Sequence, residues 1–155
     1  MRQRNLWYSW KKLLAMRPVA EFPEPINMGE RLWGEETLIA ASSQKYTMKK
    51  LFVKAGMKGG LQKHHMKDES GYLVSGEMII RYDNGNNTLV ERIVKAGETF
   101  RFPPGAVHQE EAISDCVIIE CSTPHTNDRI RCEKDYGLVE EEGLPTTKPD
   151  EIIII

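Results

Sequence analysis

The chain has 155 residues, 40% of them hydrophobic and 28% charged, with a formal net charge of −2 from 21 basic and 23 acidic residues. That length and composition describe one globular domain, able to bury a core without disulfide or metal staples. The balanced charge excludes the strongly positive surface that nucleic acid or an anionic membrane attracts, and no stretch approaches the ~18 apolar residues that span a bilayer.

In chain order, the first element is a short one. Leu6, Trp10, Leu13 and Leu14 recur at helical spacing, with Arg2, Arg4, Lys11 and Lys12 elsewhere. The pattern predicts a short basic amphipathic helix that packs on its own barrel or on a partner subunit. It lacks the uninterrupted apolar run and small-residue cleavage site of a signal peptide. Pro18, Pro23 and Pro25 then exclude a helix or a central strand, so 18–29 reads as a linker and 1–29 as an N-terminal region.

From residue 30 to 123 the pattern is strand after strand. Apolar or alternating runs at 37–41, 46–53, 61–66, 71–74, 77–82, 88–94, 99–102, 107–112 and 116–121 are divided by turn residues. Ser75-Gly76, Ala96-Gly97-Glu98 and Pro103-Pro104-Gly105 mark three of the turns, and Asp83-Asn84-Gly85-Asn86-Asn87 is the strongest hairpin signal. Short strands at regular spacing with no helical period between them predict an all-β sandwich or barrel.

Residues 124–155 form a charged tail, with an acidic run at Glu140–Glu142 and four closing isoleucines from Ile152. An exposed run of that kind invites aggregation, so it is expected to add an edge strand to its own sheet or a neighbour's. Cys116, Cys121 and Cys132 are an odd count without paired spacing. They argue for a reducing cytoplasm rather than a secreted disulfide framework. Cys116 and Cys121, five apart on a strand, face opposite sides of the sheet.

Two segments carry chemistry. In the first, Gln62 and His64 share one face of a strand, and Glu69 lies past a turn, where an antiparallel neighbour returns it to the same place. In the second, a Pro-Pro-Gly turn leads into a strand bearing His108. Two imidazoles, one carboxylate and one amide oxygen suit Zn, Fe, Mn or Ni better than a thiolate-type site. Glu110, two residues beyond His108, shares the inward face and is a candidate general base. Lys67 is a candidate anchor for a phosphate or carboxylate. Arg129 and Arg131 either close over the barrel mouth or pair with the acidic residues around them.

These spacings resemble the two signature motifs of the cupin superfamily. The first has the form G-x5-HxH-x3,4-E-x6-G, matched by Gln62, His64, Glu69 and Gly76 with its leading glycine offset. The second, G-x5-PxG-x2-H, is matched by Gly97, Pro103, Gly105 and His108, with Ala112 where an Asn usually follows. The run from Leu61 to Glu69 also looks like the LQxHHHRxE stretch of type II mannose-6-phosphate isomerases. Leu32-Trp33-Gly34 is similar to that family's PWG-type opening, and Asp128 to Gly137 to its DIVRxEDxYGR-type close. Lys67 stands where that family has Arg.

The resemblance implies a cupin jelly-roll barrel holding one divalent metal through Gln62, His64, Glu69 and His108. It also implies a small-molecule sugar or sugar-phosphate substrate, isomerase or epimerase chemistry, and a homodimer. Glutamine is a known ligand at the first position among cupin isomerases. Another metal-dependent activity (an Fe(II) dioxygenase, lyase or decarboxylase) and a non-catalytic metabolite-binding module are the alternatives on the same barrel.

Overall fold

A computed structural model describes residues 19–138 and 145–154. The helix predicted before Pro18 and the Glu140–Glu142 run lie outside the described residues. The chain opens with β1 (Ile26–Arg31), β2 (Gly34–Ser42), β3 (Tyr46–Val53) and β4 (Gln62–Lys63). It continues through β5 (Glu69–Ser75), β6 (Glu77–Asp83), β7 (Leu89–Lys95), β8 (Thr99–Phe102), β9 (His108–Ala112) and β10 (Cys116–Ser122). It closes with β11 (His125–Thr126), β12 (Ile130–Arg131) and β13 (Ile153–Ile154).

The strands make two large antiparallel sheets. One has the order β1-β2-β3-β10-β5-β8 and the other β12-β4-β9-β6-β7. Together they form the all-β jelly-roll barrel expected from the sequence. The Asp83–Asn87 hairpin joins β6 to β7 in unbroken register. Its turn is held by the Asp83 and Asn84 side chains, which accept from the amides of Gly85 and Asn86.

Alternation along the strands divides the interior into two ends. Leu51, Leu73, Met78, Ile80, Val94, Phe102, Ala112, Cys116 and Ile118 pack as one apolar core. On the same inward faces, further along the strands, stand Thr47, Glu69, Ser122 and His108, all buried. Thr47 and Ser122 share a hydrogen bond of 2.9 Å, and Glu69 lies opposite Ser122 in the ladder. Cys116 is buried and Cys121 exposed, as their spacing requires. At Gly34, with φ +152°, a Cβ would lie 1.8 Å from the Phe52 carbonyl oxygen, so only glycine lets β2 start against β3.

Two boundaries differ from the sequence reading. β1 begins at Ile26, inside the stretch read as linker, because Pro25 is its last proline and Ile26 and Asn27 pair with Leu38 and Thr37. β12 lies beyond the barrel limit placed at residue 123, yet it joins the five-stranded sheet beside β4. Two-residue strands carry too little pattern to be seen in sequence. The isoleucine tail pairs within its own chain, as a two-stranded ribbon of β13 with β11.

Truncating Leu73, which has no exposed surface, leaves a cavity at the centre of the core. Leu73→Ala is expected to cost about 2–5 kcal/mol, read as a lower urea midpoint at unchanged slope. A second expectation concerns Glu36, which bonds Lys49 at 2.7 Å and Arg31 at 3.2 Å across the first three strands. Burial opposes its ionisation, but Lys49 and Arg31 outweigh burial and hold its pKa below the ordinary 4.5. The stability it contributes is therefore full above that ordinary value and lost as pH falls through the depressed one. Glu36→Gln should lose less melting temperature than the parent protein as pH falls below the ordinary carboxylate pKa of 4.5.

Candidate metal centre

Two imidazoles and one carboxylate converge at the polar end of the barrel. Glu69 Oε1 lies 3.2 Å from His64 Nε2 and 3.2 Å from His108 Nε2. The three ligand atoms lie within 4.8 Å of one another, and all three residues are buried. β5 supplies Glu69 and β9 supplies His108. His64 follows β4 directly, in the segment that runs from β4 to β5.

Hydrogen bonding fixes which ring nitrogen faces inward. His108 Nδ1 donates to the Ala106 carbonyl at 3.0 Å, and His64 Nδ1 donates to the Asp128 carbonyl. A neutral imidazole that donates through Nδ1 presents a lone pair at Nε2. Both Nε2 atoms are buried without a hydrogen-bond partner. Three acceptors thus face one another with no donor between them, an arrangement costly to bury unless a cation sits among them. Two bonds of about 2.1 Å meeting at tetrahedral or octahedral angles put ligand atoms about 3.0–3.4 Å apart. The observed separations match, so the residues present fit a divalent metal ion.

The surroundings hold the ligands still. Phe102 stacks on His108 with ring centroids 3.9 Å apart and planes 6° from parallel. Lys67 Nζ lies 2.5 Å from Glu69 Oε2 and 3.7 Å from Glu120 Oε1. Burial would raise the Glu69 pKa, but the Lys67 ammonium outweighs it and holds the carboxyl well below the usual range. Burial would likewise lower the Lys67 pKa, and Glu120 and Glu69 reverse that, keeping the ammonium charged. Lys67, expected as a substrate anchor, is engaged by these two internal carboxylates.

Gln62 sits directly across β4 and β9 from His108, so the two side chains share the inward face. Glu110 stands opposite the core residue Ile80 on that face. Burial, with the nearby Glu69 and Glu120 charges, pushes its pKa up to about 7 against the opposing pull of His108 and Lys67. His65 is exposed, and the ring of His125 meets only the Thr123 hydroxyl. Of the other polar residues near the motifs, Lys49 pairs with Glu36, and Arg81 pairs outward with Glu91 and Glu111. Tyr72 is exposed, whereas Tyr82 lies opposite His108 at the barrel end.

Sequence reasoning missed Asp128. Its buried carboxylate accepts from three consecutive backbone amides, those of His65 at 3.0 Å and of Met66 and Lys67 at 2.8 Å. Its own carbonyl takes the His64 ring. One residue of the C-terminal segment thereby clamps the loop that carries His64. No local pattern announces this, because the partners are more than sixty positions apart in the chain.

A family model described as "Cupin domain" matches residues 51–121. A search of curated proteins returns no match. Among solved structures, the capsular polysaccharide assembling protein CapF from Staphylococcus aureus is similar at 23% identity and a TM-score of 0.60. That match covers 72% of this chain and 34% of that one. The chain therefore spans about a third of the length of CapF. KdgF from a Halomonas species is 17% identical, with a TM-score of 0.56 over 66% of this chain and 88% of that one. An RmlC-like cupin from Shewanella frigidimarina is 20% identical, with a TM-score of 0.53 over 63% and 84%. At these identities the likeness establishes the fold.

The Asp128 clamp makes a prediction of its own. Asp128→Ala is expected to leave the barrel folded by circular dichroism and to weaken metal retention about 10- to 100-fold, measured by competition with a chelator. Equal retention in variant and parent would show that the clamp does not position His64.

Proposed function

Taking residues 51–121 as a cupin domain within a cupin barrel, we propose that Gln62, His64, Glu69 and His108 hold one divalent metal ion in an enzyme acting on a sugar or sugar phosphate. Isomerisation or epimerisation is the reaction that fits best. The observation that carries the reading is the burial of three converging acceptors, two of them imidazole nitrogens whose other ring nitrogens are tied to backbone carbonyls. A mixed N/O set of this kind favours Zn, Fe, Mn or Ni, and Gln62 completes it from the neighbouring strand. When bound, such an ion polarises carbonyl and hydroxyl oxygens of a substrate.

The remaining roles belong to side chains of the chain. Glu110 shares the inward face of β9 with His108, which supports reading it as the group that moves a proton between adjacent carbons of a bound sugar. Lys67 neutralises Glu69 and Glu120 and keeps the Glu69 carboxylate turned toward the imidazoles. Phe102 holds the His108 ring plane. Tyr82, opposite His108, lines the approach. We also read the protein as a homodimer of the reducing cytoplasm. β1 ends the six-stranded sheet with Ile26 and Met28 exposed, and all three cysteines are free thiols. Among the described residues, no helix is long and apolar enough to cross a membrane.

Elemental analysis of the purified protein should find about one divalent metal per chain. Glu69→Gln should lose it, and a variant that keeps full metal content would defeat the ligand assignment. A screen of aldose and ketose phosphates should then find turnover that falls about 100-fold or more in Glu110→Gln at unchanged metal content. Iron with oxygen uptake and no isomerisation would instead identify a dioxygenase, and a metal-free, inactive protein a binding module. Light scattering should give about twice the chain mass of 17.7 kDa.

A further inference from the structure

We propose that Arg129 is the centre of an anion-receiving subsite at the polar end of the barrel, built to take a phosphate or carboxylate group of a small ligand. The assignment rests on the reading of a small anionic substrate for the identity of that ligand, but not for the contact itself.

The two arginines of the Asp128–Arg131 segment have different partners. Arg131 forks onto Glu133, with Nε 3.0 Å from Oε2 and a second contact through Nη2. Its guanidinium lies over Gly60, where a Cβ would overlap it. Arg129 is half-buried, yet it pairs with no carboxylate among the described residues. Its only side-chain partner there is the neutral Asn127 amide oxygen, 3.0 Å from Nη2. A guanidinium withdrawn from water without a counter-ion is expensive, and an anion removes that cost.

The charge around Arg129 is in surplus. Arg31 on β1 and Lys49 on β3 lie either side of β2 and share its Glu36 carboxylate. The Glu36 carboxylate is therefore already engaged by two cations. Consistently, burial and then the charges of Arg131 and Arg31 push the Arg129 pKa down, against a smaller opposing effect of Glu36.

Position ties this surplus to the metal centre. Arg129 follows Asp128, whose carbonyl holds the His64 ring. Arg131, two residues further on, lies opposite Gln62, which lies opposite His108. From the other side, Lys49 stands across the ladder from Glu120, which faces Lys67 and through it Glu69. A ligand spanning the barrel mouth would thus meet the metal ligands at one end and a guanidinium at the other. The planar guanidinium fork matches the oxygen pair of a phosphate or carboxylate.

The test is titration of inorganic phosphate, with acetate as the carboxylate arm, into the full chain at constant ionic strength, with and without added zinc, read by calorimetry. The parent protein should bind at least one of the two anions saturably, and the stronger arm identifies the group. Arg129→Gln should weaken that binding tenfold or more. Arg129→Lys, which keeps the charge and the fold but loses the fork, should fall in between. Arg92→Gln, on an exposed strand face paired with Glu98, should bind like the parent. Anion binding that is absent in the parent, or equal in the parent and both Arg129 variants, overturns the proposal. The metal reading fails separately. Arg129→Gln is expected to retain metal, and a parent that binds phosphate while taking up no zinc would sink the metal centre and leave this subsite standing.

Discussion

The constraint on which the rest of the structure depends is the meeting of three hydrogen-bond acceptors in a buried space. Glu69 and the Nε2 atoms of His64 and His108 have no donor among them, because each ring has already committed its Nδ1 proton to a backbone carbonyl. Left to themselves they would repel one another or draw in water. The barrel holds them together by surrounding them with compensating contacts. The Lys67 ammonium balances the outer oxygen of Glu69, Phe102 covers one ring, and Asp128 secures the loop beneath the other. Each contact lowers the cost of keeping an unsatisfied set intact, so the site is preorganised rather than assembled on demand.

That preorganisation is affordable because the same strands do two jobs along their length. β3, β5 and β10 present Leu51, Leu73 and Ile118 at one end and Thr47, Glu69 and Ser122 at the other, all on inward faces. The apolar end carries the hydrophobic stabilisation of the fold. The polar end is a net of ion pairs and hydrogen bonds whose value lies in geometry more than in stability, since burying charge consumes most of what pairing returns. A rigid core a few residues away converts strand register into fixed ligand positions.

The segment after β11 concentrates unexpected weight in a few residues. Asp128 positions the His64 ring, Arg129 has no carboxylate partner among the described residues, and Arg131 is neutralised by Glu133 beside Gln62. Part of the charged segment thus packs against β4 and the His64 loop. Its sheet membership is only two residues long, so hydrogen bonding to side chains, rather than a ladder, keeps it in place.

Local pattern, with the motif resemblance, was enough to predict the barrel and the convergence of His64, Glu69 and His108. Strand alternation and turn chemistry act between near neighbours, so the period-2 runs, the Asp83–Asn87 hairpin and the inward placement of His64, Glu69 and His108 were all legible in the sequence. The long-range contacts were not. Nothing near Asp128 signals that it caps amides more than sixty residues away. Lys67 reads as a free anchor until Glu69 and Glu120 are seen around it. Arg129 and Arg131 look equivalent two positions apart, and only the packed structure gives one of them a carboxylate and leaves the other without. The sequence by itself determined which residues could ligate a metal, because that depends on side-chain chemistry and strand period. Which charges pair inside the fold emerges only on closure of the barrel, because pairing depends on distances that local pattern does not define.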